Sequence, residues 1–158
     1  MDAIVAVYDD WGIGANGTQP IAVSADRKFF REMTKGATVI VGRKTLADFP
    51  GGRPLPKRRN IVLTRGQTSM EGVEVANSPS QAAQMSENDE KVFVIGGGTV
   101  YRQMIPMCSR IYVTKVHAKP VSDTFFQNLD EDGSWKMTQV LQSGEEDGIR
   151  YEMCLYER

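Results

Sequence analysis

Short apolar runs, apolar at odd and even positions alike, punctuate the first two-thirds of the chain. Residues 3–7 (AIVAV), 37–41 (ATVIV), 61–63 (IVL) and 92–95 (VFVI) have this form, which is that of strands covered on both faces of a parallel sheet. Residues 110–118 (RIYVTKVHA) make a longer β-branched strand, and 134–141 (SWKMTQVL) and 149–156 (IRYEMCLY) predict two more. Helical stretches fall between the early strands. Ser24 reads as the N-cap of a helix over 25–35. Ser78-Pro79 opens a helix over 79–86, with proline in its first turn. Residues 98–105 make another, which Pro106 stops. Strand–helix alternation to about residue 116 predicts right-handed β-α-β units and a mostly parallel sheet. The last two strands have no helix between them, and 142–148 (QSGEEDG) reads as a hairpin loop, so the sheet should end in an antiparallel edge. No repeat or linker interrupts the pattern, and one α/β domain over 1–158 is expected.

Composition narrows the chemistry. The chain has 158 residues, 41% of them hydrophobic and 25% charged, enough for one real core and too apolar for disorder. One histidine, His117, and two cysteines, Cys108 and Cys154, exclude multi-histidine zinc sites, CxxC clusters and disulfide scaffolds, and no metal site is expected. No run of about 18 apolar residues occurs, so no membrane span is expected. The opening MDAIVAVYDD lacks the basic start of a signal peptide, and two isolated cysteines suit a reducing compartment, so a cytoplasmic protein is expected. The net charge of −1 is unevenly placed. Residues 43–65 hold seven Lys/Arg against one acid, Asp48, for +6; the rest hold 12 basic and 19 acidic residues, for −7. A basic island in an acidic chain points to a local anion site. It is too short and too poor in aromatics for nucleic acid.

Five segments could carry chemistry. Asp26 shares a helical stripe with Phe30 and Met33, beside Phe29. It is either a first-turn acid favoured by the helix dipole or a buried acid awaiting a cationic or amidine-like ligand; position alone leaves both open. In 94–101, VIGGGTVY, a buried strand runs into three glycines and a helix, which either make only a tight turn or let backbone N–H groups approach a phosphate, the reading their position between strand and helix favours. It lacks the spacing of GxGxxG and the Lys-Ser/Thr of a P-loop. In 41–45, VGRKT, a second strand ends on glycine and basic residues where a short helix could begin. Two such ends in one sheet could grip a dinucleotide pyrophosphate; the alternative is a solvated basic turn. The stiff segment 53–60, RPLPKRRN, carries guanidinium forks suited to carboxylates, or is only a rigid surface loop. Residues 9–23, DDWGIGANGTQPIAV, form a long glycine-rich loop that could be a lid. His117 alternates with Lys115 and should face solvent. Cys108 and Cys154 read as small apolar-site residues.

In order along the chain, these motifs resemble dihydrofolate reductase. The resemblance runs through the apolar first strand, GIGANG (Gly12 to Gly17), Asp26 with Phe30 and Thr34, VGRKT, RPLP, RNIVLT (59–64), VIGGGTVY, IYVT (111–114) and DTFF (123–126). It implies an eight-stranded, mostly parallel sheet with four helices, and reduction of 7,8-dihydrofolate to tetrahydrofolate by NADPH, a step of one-carbon metabolism and a target of antifolates. By the same resemblance Asp26 is the pocket carboxylate that binds the pterin's amidine-like edge, with Thr114 joining through its hydroxyl. Arg58 holds the α-carboxylate of the substrate tail, and Ile4, Val5, Ala6, Phe30, Phe49, Leu55, Ile95 and Tyr101 line the pocket. Gly96, Gly97, Gly98, Thr99 and Val100 receive the pyrophosphate, with Gly42, Lys44 and Thr45 at the other strand end. Arg43, Leu63, Thr64 and Arg65 surround the ribose 2′-phosphate, and Ala6, Ile13 and Gly14 complete the cofactor site. A monomer is expected.

The chain departs from the family in two places. Where many members have Pro-Trp after the first loop it has Pro20-Ile21, and Arg27 follows the pocket acid where an apolar residue is usual. Trp11 stands too early in the loop to replace the missing indole. Arg27 would reach the folate tail or point to solvent. Both changes predict an altered response to diaminopyrimidine antifolates. Two further readings of the same pattern are a pyrimidine reductase of the same fold and a non-catalytic folate- or nucleotide-binding protein.

Overall fold

A computed structural model of the chain describes residues 1–66 and 70–158. The apolar runs become the strands β1 (Asp2–Val7), β3 (Thr38–Gly42), β4 (Arg59–Leu63), β6 (Val92–Gly96) and β7 (Arg110–Val116). With β5 (Val73–Ala76), β9 (Lys136–Glu146) and β10 (Ile149–Glu157) they form one eight-stranded sheet, in the order β5-β4-β3-β6-β1-β7-β10-β9. Pairing is parallel from β5 to β7 and antiparallel at β10 and β9. The α/β class, the mostly parallel sheet and the antiparallel C-terminal edge are as the hydrophobic pattern predicts. The helices are α1 (Ser24–Thr34), α2 (Arg43–Ala47), α3 (Pro79–Met85) and α4 (Gly98–Met104).

The central strands are apolar throughout because both faces are packed. One buried cluster contains Ala3, Val5, Ile40, Ile61, Val94 and Ile111; the other contains Ile4, Phe29, Val39, Val41, Val62 and Phe93. Neighbours in sequence therefore point into different clusters, as strand geometry requires. Helix α1 buries Phe29 and Thr34, and the Thr34 hydroxyl bonds back to the Phe30 carbonyl at 2.8 Å.

Four expectations change. Ser24 does not cap α1: Val23 holds the cap position, and Ser24 is the first helical residue. The cap comes from Glu146, 122 residues away. The segment 142–148 is not a loop, because β9 runs to Glu146 and only Asp147-Gly148 remain in the turn. Both of those residues have positive φ, 52° and 79°, the geometry of a tight type I′ hairpin. Strand β5 (VEVA) is four residues at the sheet edge, with Glu74 turned outward to Arg59 at 2.6 Å; so short an alternation leaves no distinct apolar run. The loop 9–23 is not structureless either. Within it β2 (Gly12–Gly14) pairs with β8 (Thr124–Phe125), and Trp11 is core, stacked on Phe126 at 6.4 Å and edge-on to Tyr156.

Candidate active site

The parallel strands end their carboxyl termini along one edge, where α/β sheets hold ligands. Register aligns Val41 with Gly96 and Gly42 with Leu63, and Ala6 with Thr114. A cavity of about 610 Å³ opens at this edge. Its floor is Ile4, Val5 and Ala6 of β1 with Ile95 of β6. One wall is Asp26, Arg27 and Phe30 of α1; another is Lys44, Thr45, Asp48 and Phe49; Gly96, Gly97, Gly98 and Tyr101 form a third. Ile13 and Gly14 close it with Gly17, Thr18, Gln19 and Thr124.

Most of the sequence-predicted residues thus meet in one cavity. Leu55 lies behind it, in the cluster that holds Phe30 and Phe49. Leu63 and Val100 are core side chains below the strand ends. Gly42 ends β3, and a Cβ there would stand 3.1 Å from Val100. Arg43, Arg65 and Thr99 are exposed, and Thr64 is half-buried. Because Gly42 pairs with Leu63, the residues that follow each, Arg43 and Thr64-Arg65, leave the sheet side by side. Sequence reasoning missed Gly17, Thr18, Gln19, Asp48 and Thr124 as lining residues. The glycine-rich loop was a signal for the first three; Asp48 and Thr124 reach the cavity only through the tertiary fold.

Asp26 sits in the first turn of α1, half-buried, and lines the cavity. Burial raises its carboxyl above the usual range; the Thr114 hydroxyl and the Arg27 guanidinium pull it down less strongly. The Thr114 hydroxyl is itself buried, and no protein group hydrogen-bonds to it in good geometry, so its contact with Asp26 is a loose one. Tyr101 donates its phenol to the Ile4 carbonyl at 2.7 Å. Burial and the nearby Asp26 push that phenol far up, so it stays protonated.

Arg58 is half-buried outside the cavity lining. Its Nη1 donates to the Pro56 carbonyl at 3.3 Å, and its buried Nε has no partner among the described residues. Burial, then the charge of Arg31 on α1, lower its pKa. An unpaired buried N–H is costly, and a carboxylate is its natural complement. The glycines form a backbone cradle: a Cβ on Gly97 would stand 2.8 Å from the Thr45 hydroxyl, and one on Gly98 would stand 2.6 Å from the Thr124 methyl. The ends of β3 and β6 are in contact there, with Lys44 alongside. This donor set fits a dinucleotide diphosphate.

His117 is exposed, as expected, and lies between Asp9 at 3.3 Å and Glu152 at 3.0 Å, away from the cavity. Cys108 and Cys154 are buried and free.

Comparison with known proteins bears on the same site. A family model described as dihydrofolate reductase matches residues 1–158. A dihydrofolate reductase of Staphylococcus haemolyticus is 37% identical, over 100% of this chain and 95% of the relative. One of Bacillus subtilis is 34% identical, over 92% and 87%. The solved structure of dihydrofolate reductase from Enterococcus faecalis, complexed with NADP(H) and RAB-propyl, superimposes with a TM-score of 0.89 at 34% identity, over 99% of this chain and 95% of that one.

Proposed function

The chain belongs to the dihydrofolate reductase family, and we propose that it reduces 7,8-dihydrofolate to 5,6,7,8-tetrahydrofolate with NADPH. The observation that carries this reading is one cavity holding a half-buried carboxylate, Asp26, opposite a glycine cradle flanked by Lys44 and Thr45. NADPH, when bound, supplies the hydride. The chain's own part is to orient the two ligands, exclude water and deliver one proton.

Gly96, Gly97, Gly98 and Thr99 would hold the pyrophosphate with Gly42, Lys44 and Thr45; Arg43, Thr64 and Arg65 would surround the 2′-phosphate, with the core residues Leu63 and Val100 supporting the two strand ends. Ala6, Ile13 and Gly14 face the nicotinamide end. The pterin would lie against Ile4, Val5, Phe30, Phe49, Ile95 and Tyr101, with Leu55 packed behind them and the pterin's amidine-like edge on Asp26 and Thr114. Arg58 takes the tail carboxylate. With both ligands bound, Asp26 would favour protonation at pterin N5, the atom beside the carbon that takes the hydride. A carboxyl raised by burial holds a proton nearer neutrality than an ordinary aspartate does, which suits it to that task without histidine. Arg27 lines the cavity beside Asp26, so a diaminopyrimidine antifolate bound there meets a second charge. The chain works as a monomer in the cytoplasm: β9, the exposed edge, has register shifts opposite Met153/Cys154 and Leu155/Tyr156, and such bulges discourage edge-to-edge pairing.

The test is consumption of NADPH with dihydrofolate as the acceptor. Turnover supports the reading. Turnover only with a riboflavin-precursor pyrimidine, or ligand binding without turnover, would replace it.

A further inference from the structure

Tyr8 follows β1 and stands two residues beyond the cavity floor at Ala6. Its side chain is 4% exposed. The phenol donates to the Ile21 carbonyl at 2.6 Å and accepts from the Ile21 amide at 2.9 Å. One hydroxyl thus satisfies both main-chain groups of a single loop residue, as a neighbouring strand would. The ring packs with Val23 and Val116, and Ile21 lies against the same cluster. Immediately before Pro20-Ile21 come Gly17, Thr18 and Gln19, which line the cavity; shortly after come Asp26 and Arg27, which line it too. Ile21 is therefore the fixed point between two stretches of cavity wall. Its own side chain has no polar atom, so its position rests on the main-chain grip and on apolar packing.

We infer that Tyr8 is a positioning residue for the proposed reduction, on which this inference rests: through the main chain of Ile21 its hydroxyl sets where the wall 17–19 stands over the bound ligands. Replacing it by phenylalanine keeps the ring against Val23 and Val116 and removes both hydrogen bonds. Two half-buried backbone groups then lack their partner, and the wall loses its register with the cavity.

The experiment compares Tyr8→Phe with Val116→Ala, which truncates the same cluster without touching the clamp. Thermal unfolding measures the stability of each. NADPH affinity, read from the cofactor's own fluorescence, and the single-turnover rate of hydride transfer measure the wall. Tyr8→Phe should weaken NADPH binding and slow hydride transfer about tenfold each, the scale of losing about one net hydrogen bond. Val116→Ala should lower the unfolding temperature at least as much, yet leave both quantities within about twofold. The inference is overturned if Tyr8→Phe stays within twofold of the wild type in both quantities, or if Val116→Ala matches its losses. A wild-type enzyme that binds NADPH but leaves dihydrofolate unreduced would refute the functional reading, and the binding ratio would still decide on Tyr8.

Discussion

Arg58 shows how a single residue carries a functional expectation. Its Nε is buried without a partner among the described residues, an arrangement that folding alone does not favour and that a substrate carboxylate would complete. Arg58→Gln should raise the KM for dihydrofolate about 10- to 100-fold, the range for losing a hydrogen bond to a charged group. A pteridine lacking the carboxylate tail should show no change, which separates the clamp from a general disturbance of the cavity. Arg43 makes a second residue-scale case. It is exposed and emerges beside Thr64 and Arg65, where a 2′-phosphate would meet two guanidinium groups. Arg43→Ala should lower the preference for NADPH over NADH about tenfold, read as the ratio of kcat/KM for the two cofactors.

At the scale of elements, the start of α1 depends on a hairpin from the far end of the chain. Glu146 accepts from the Ser24 amide at 2.7 Å, the Ser24 hydroxyl at 2.6 Å and the Ala25 amide at 3.2 Å. These bonds, that of the Ser24 hydroxyl foremost, hold its carboxyl below the usual range and answer the unpaired N–H groups of the helix. A lowered carboxyl stabilises the fold above its unfolded pKa, and that contribution disappears as pH falls through the folded value. Glu146→Gln should therefore lower the unfolding temperature at neutral pH, and the difference should close in acid below the ordinary carboxylate range. The same cap shows where sequence reading ends. Strands β1, β3, β4 and β6 were legible because two-sided burial writes an apolar run, and β7 because of its β-branched residues. The glycines of β6–α4 and the basic residues of β3–α2 were legible because strand ends and helix starts are local. Glu146, Asp48, Thr124 and the clamp of Tyr8 on Ile21 were not, since each acts across a sequence separation that no local period encodes. Trp11 illustrates the same limit: it sits in a loop segment, yet its partners Phe126 and Tyr156 make it core.

In the whole molecule, the sheet order brings the ends of β4, β3, β6 and β1 into one row, and the proposed function puts cofactor and substrate side by side along it. Binding to the folded state alone must then stabilise it. NADPH at about 100 times its dissociation constant adds about 2.7 kcal/mol, which should raise the unfolding temperature of a chain this size by about 5–10 °C. On the proposed reading the basic island at 43–65 would serve two functions, a phosphate side with Arg43, Lys44 and Arg65 and a carboxylate side with Arg58, with Asp26 lining the cavity. The central claim is that this one carboxyl supplies the proton chemistry. The most direct measurement is NADPH-dependent reduction of dihydrofolate by Asp26→Asn beside the wild type, across pH, with binding of both ligands measured in parallel. The account predicts a folded variant that binds NADPH normally and loses at least about 100-fold in turnover at neutral pH, with the wild-type pH dependence abolished; turnover by Asp26→Asn near that of the wild type would contradict it.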